Sequence, residues 1–145
     1  MPGRHRLFVR RRDGRIEVRL NDPGRSVARD AFTQVVAAER DVEHIWHAGL
    51  TAPIDPSVDH DDPVAMLTRQ SDMATNAELA LVTLGEQFLN EAEAWSWLST
   101  LQVALRATAI AHGLLSDEKL AACDEAVQTY VLALQHFLFD LADTL

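Results

Sequence analysis

The chain has 145 residues, enough for one domain that buries a core without disulfides or a structural metal. Its 48% apolar and 24% charged residues are ordinary for a soluble globular protein, and its single cysteine, Cys123, excludes an intramolecular disulfide and suits a reducing compartment. No secretory h-region follows Arg4 to Arg6, and no uncharged stretch is long enough for a membrane helix, so a cytoplasmic, non-membrane protein is expected.

The first element reads as a β-hairpin over residues 6–20. Leu7 to Arg12 and Arg15 to Leu20 flank Asp13-Gly14, a dipeptide suited to a two-residue turn with both φ angles positive. Closing the turn there pairs Arg12 with Arg15, Arg10 with Glu17, Val9 with Val18 and Leu7 with Leu20. Leu7, Val9, Ile16, Val18 and Leu20 then share one face with Arg11, while Phe8, Arg10, Arg12, Arg15, Glu17 and Arg19 share the other. A lone hairpin is marginal in water, so the apolar face should pack on helices.

The rest reads as helical. Asn21-Asp22-Pro23 gives a cap and an early proline, predicting a helix to about Ala48 that buries Val27, Phe32, Val35, Val36, Val42, Ile45 and Trp46, with Gly49 as its stop. Thr51 to Asp62 is an expected loop, and Asp62-Pro63 restarts a short helix to roughly Arg69. Capping boxes at Thr75 to Glu78 and Asn90 to Glu93 open two further helices. One carries Leu79, Leu81, Val82, Leu84 and Phe88; the other runs to about His112 before Gly113. Ser116 is the expected cap of a last helix with an apolar stripe from Leu120 and Cys123 through Val127, Tyr130, Leu134 and Leu141. The expected fold is a single mainly α domain over residues 1–145: a four- or five-helix bundle over 22–145 with the small N-terminal antiparallel hairpin packed on it.

The charge is divided unevenly. Residues 1–29 hold nine arginines against three acids, whereas residues 30–145 hold four basic groups against 19 acids, for a net charge of −9. The arginine face is either neutralised by the protein's own acids or solvated, or it grips a partner's carboxylates or phosphates bidentately, which makes Arg10, Arg12, Arg15 and Arg19 candidate partner-binding residues. A β-ribbon can also enter a DNA groove, but the acidic body repels a polyanion and the ribbon holds a single aromatic, Phe8.

Other chemistry has little support. Glu43, His44 and His47 lie within one helical turn, His60 sits among aspartates, and His136 precedes Asp140 by four residues. A zinc or di-iron centre needs three or four such ligands converging, with a second ligand pair on another helix, so no metal or cofactor is expected. Cys123 falls on an apolar stripe, Ser96, Ser99 and Thr100 sit inside a helix, and the six glycines are scattered singly, so no catalytic residues are assigned. Trp95 and Trp97, two apart on a helix, point about 200° from each other, so they cannot share a core face. Core packing between two helix layers is the favoured reading, with Trp95 or Trp97 as a candidate partner-binding anchor behind it. Phe139 lies off the stripe of the last helix and adds a possible homodimer seam there.

Phe8 to Leu20, the tryptophan helix Trp95-Ser96-Trp97-Leu98-Ser99-Thr100-Leu101, and the closing helix from Tyr130 to Leu145 are three stretches that together resemble an actinobacterial family known as a domain of unknown function, often encoded beside the ClpS protease adaptor. The resemblance implies no catalytic residue and no cofactor, and it suggests a link to regulated proteolysis. The expected function is a non-enzymatic cytoplasmic interaction module for a protein partner. The alternatives are a nucleic-acid-binding regulator and, behind it, a metal-binding helical protein.

Overall fold

The computed structural model describes residues 6–50, 73, 75–113 and 124–145. In chain order these form β1 (Phe8–Arg10), β2 (Ile16–Val18), α1 (Asp22–Arg40), α2 (His47–Leu50), β3 (Phe88–Leu89), α2's neighbour α3 (Glu91–Ala111) and α4 (Glu125–Thr144). Residues 75–82 are also helical. The expected mainly helical fold with a small N-terminal antiparallel sheet is the fold observed, and the sheet has three strands in the order β1-β2-β3.

The hairpin closes one residue differently from the expected register. Phe8 pairs with Val18, Val9 with Glu17 and Arg10 with Ile16. The Arg11 N–H donates to the Arg15 carbonyl (2.8 Å) and the Gly14 N–H to the Arg11 carbonyl (3.1 Å). Arg12, Asp13 and Gly14 therefore form a three-residue loop, with Gly14 at φ +90°, a position open to glycine. A one-residue slip turns a whole strand over. Phe8 is consequently fully buried with Ile16 and Val18, while Leu7 and Val9 are only partly covered.

The third strand was expected as helix. Residues 75–82 are helical, but Gly85 and Glu86 follow, and Phe88–Leu89 pairs with β2, Leu89 lying opposite Ile16. Thr75 is itself helical, so it is not the N-cap of that helix. Arg25 on α1 fastens the junction: its guanidinium donates to the carbonyls of Leu84 (2.5 Å), Glu86 (3.3 Å) and Val18 (3.4 Å). Arg25→Met keeps the apolar stem and removes all three bonds. It should lower unfolding free energy by about 2 kcal/mol, the range for hydrogen bonds from a charged donor, read from urea denaturation.

α1 also ends earlier than expected. Asn21 caps it, accepting from the Gly24 N–H, but the helix stops at Arg40 because Asp41 is extended and its carboxylate accepts from the Glu43 N–H. Val42 and Ile45 are therefore exposed instead of buried, whereas Trp46 is buried. Gly49 lies inside α2, where it allows close approach to α3. The Asn90 to Glu93 capping box forms with both of its hydrogen bonds. α4 is capped by Asp124; the expected Ser116 cap, Leu120 and Cys123 lie outside the described residues, as do the loop from Thr51 and the Asp62 to Arg69 helix.

α3 is the central helix, packed on α1, α2 and α4. The end of α4 docks on β1. The buried Asp140 accepts the Leu7 N–H (3.2 Å), and the Thr144 hydroxyl donates to the Asp140 carbonyl (2.8 Å) and reaches the Phe8 carbonyl (3.2 Å). The Thr144 contact covers a backbone carbonyl on the open edge of β1, that of Phe8.

Candidate arginine interface

The three-residue loop gathers guanidinium groups at the tip of the ribbon. Arg10, Arg11, Arg12 and Arg15 line an open concavity of about 440 Å³ together with Asp13 and Phe88. Their local bonds differ. Arg15 donates its backbone N–H (3.0 Å) and its Nε (2.8 Å) to the Asp13 carboxylate, and its guanidinium lies 4.4 Å above the Phe88 ring. Arg10 donates Nε to the Thr144 carbonyl (3.1 Å), a neutral acceptor. Arg19 takes the Glu17 carboxylate at 2.8 Å, leaving Arg11 a longer approach of 3.6 Å to the same oxygen. Arg12 is exposed and makes no ion pair among the described residues.

The Asp13 carboxyl is held below the usual carboxylate range, first by the Arg15 backbone N–H and then by the Arg15 side chain. A depressed folded-state value means that this support is complete at neutral pH and is lost as pH falls through that value.

Of the four expected arginines, the loop brings Arg10, Arg12 and Arg15 together, and Arg19 lies apart against Glu17. Arg11, expected on the apolar face, joins them because of the register change. Phe88 was missed because the helical spacing of Leu81, Leu84 and Phe88 looked continuous. The readable warning was Gly85 just before it and the Asn90 cap just after.

Trp97 is not a surface anchor: it is fully buried. Its Nε1–H donates to the Thr83 hydroxyl (2.8 Å), and its ring meets Phe32 and Phe8 edge-on at centroid distances of 5.2 and 6.2 Å. Trp95 is 49% exposed and remains available. On α4, Leu132 and Phe139 are 48% and 57% exposed, and their spacing of seven places them on one helical face.

The histidine pair is engaged within the fold. The His44 Nε2 meets Gln34 Oε1 (2.6 Å) while its Nδ1 accepts the Trp46 N–H (3.0 Å), and the His47 Nδ1 lies 2.6 Å from the Ala38 carbonyl. His136 lies 3.4 Å from the Asp140 carboxylate. Among the described residues no three His, Cys, Asp or Glu side chains gather as a metal-ligand group, and no helix is long and apolar enough to cross a membrane. Set against protein-family models, curated proteins and solved structures, the chain matches none.

Proposed function

We propose that this protein is a non-enzymatic, cytoplasmic interaction module whose hairpin tip binds an acidic segment of another protein. The observation that carries this reading is the uneven neutralisation of the tip. The carboxylates of Asp13 and Glu17 are engaged most closely by Arg15 and Arg19, and Arg10, Arg11 and Arg12 remain cationic on one open surface. Carboxylates on a partner would complete the guanidinium forks bidentately. A place in regulated proteolysis belongs to the same proposal and rests only on the family resemblance of the three stretches.

The test uses Arg11→Ser/Arg12→Ser, because Arg10 and Arg15 also bond within the fold. Binding to a glutamate-rich peptide, followed by fluorescence anisotropy, should weaken at least about tenfold in the double variant and fall with added salt. Equal binding by the wild type and the variant would exclude the tip as the contact surface.

A second reading, self-association through α4, is favoured by the paired exposure of Leu132 and Phe139. Sedimentation equilibrium over a concentration series should then find a dimer that Phe139→Glu dissociates. A wild type that stays monomeric throughout excludes it.

A further inference from the structure

We infer that the acidic group received at the hairpin tip is a phosphate monoester, carried on a phosphorylated segment of the partner. This deepens the interaction reading above and rests on it. Four arginines and a single acidic residue, Asp13, line the concavity, and the Asp13 carboxylate already accepts both the backbone N–H and the Nε of Arg15. Arg10, Arg11 and Arg12 therefore leave the lining with an excess of positive charge, even with Arg11 3.6 Å from the Glu17 carboxylate. One partner carboxylate would match only one of them. A phosphoserine brings about −1.5 to −2 of charge and three acceptor oxygens on one compact group, suited to several converging forks.

The rest of the lining fits a phosphate presented on a side chain. Phe88 offers an apolar wall whose ring is held beside the cations by Arg15. The volume of about 440 Å³ has room for a phosphorylated side chain and its neighbours. An extended polyanion would also run from this tip onto a body whose residues 30–145 hold 19 acids against four bases. A single phosphorylated site reaches the tip without meeting that surface.

Three peptides of one sequence, carrying phosphoserine, glutamate or serine at the central position, separate the possibilities. Each is titrated by fluorescence anisotropy at physiological ionic strength against the full chain and Arg11→Ser/Arg12→Ser. Arg6→Ser/Arg29→Ser, which removes equal charge from outside the concavity, is the control. The phosphoserine peptide should bind at least about tenfold more tightly than the glutamate peptide, equal to one charge-assisted contact. Arg11→Ser/Arg12→Ser should abolish that preference and the control should keep it. Equal binding of the phosphoserine and glutamate peptides overturns the phosphate inference and leaves the acidic-partner reading standing. No binding of either at low salt overturns both. A single-stranded oligonucleotide that displaces the phosphopeptide at lower concentration overturns the inference in favour of nucleic acid.

Discussion

Trp97→Ala should lower the unfolding free energy by about 3–5 kcal/mol, the largest single-residue effect expected in this fold. The indole is fully buried on the central helix α3 and joins parts of the chain that are remote in sequence. It touches Phe8 of the sheet and Phe32 of α1, and it donates to Thr83 beyond the helical residues 75–82. Alanine removes the ring contacts and leaves the Thr83 hydroxyl without its indole donor. Thr83 still donates to the Leu79 carbonyl (2.9 Å), so the loss is mainly one of packing. Trp97→Phe separates the terms: it restores much of the volume and none of the N–H donor, and should cost about half as much. The midpoints of urea unfolding, with an unchanged slope, would measure both. A loss below about 1 kcal/mol for alanine would contradict the packing described.

Gly49→Val should cost about 3 kcal/mol, for a reason unrelated to glycine's freedom in φ. A Cβ at position 49 would lie 2.8 Å from the Cα and 3.3 Å from the Cβ of Ala107 on α3. The obstructing atom is backbone, so relief requires α2 and α3 to move apart. Elsewhere in a helix, glycine to alanine adds about 0.5–1 kcal/mol of stability. Gly49→Ala should instead destabilise. Ala107→Gly should not rescue either variant, because it leaves the Ala107 Cα in place. Thermal unfolding of the two Gly49 variants, each alone and each combined with Ala107→Gly, decides this, and a stabilised Gly49→Ala would refute the close approach.

The helices were legible where caps and apolar spacing agreed. The Asn90 to Glu93 box predicts the start of α3, and Gly113, at φ +68°, lies just beyond its end. α1 was legible at Asn21 but not at its finish, because the apolar run through Val42, Ile45 and Trp46 continues past the break. Asp41 ends the helix by bonding the backbone two residues on, a local competition that periodicity does not register. The hairpin itself was readable from Asp13-Gly14, and its register was not. Asp-Gly serves two-residue and three-residue loops alike, and alternating Leu7, Phe8 and Val9 offer an apolar side chain to either face. The tertiary pocket for Phe8 beside Trp97 chooses between them. For the candidate site, the excess of arginine was plain, but its grouping was not. Arg11 and Phe88 reach the tip only through the slipped register and the third strand, both set by contacts between distant residues.

The docking of α4 on β1 has a consequence for the growing chain. Leu7 and Phe8 hydrogen-bond to Asp140 and Thr144, and Arg10 donates to the Thr144 carbonyl, closing contacts across more than 130 residues. A nascent polypeptide whose α4 is still inside the ribosome has the arginine strand outside and no helix to seat it. The cationic tip is therefore translated well before it can be assembled, since contacts of such sequence separation wait for both partners to be free. Assembly of the tip would then mark the moment at which synthesis of α4 had finished.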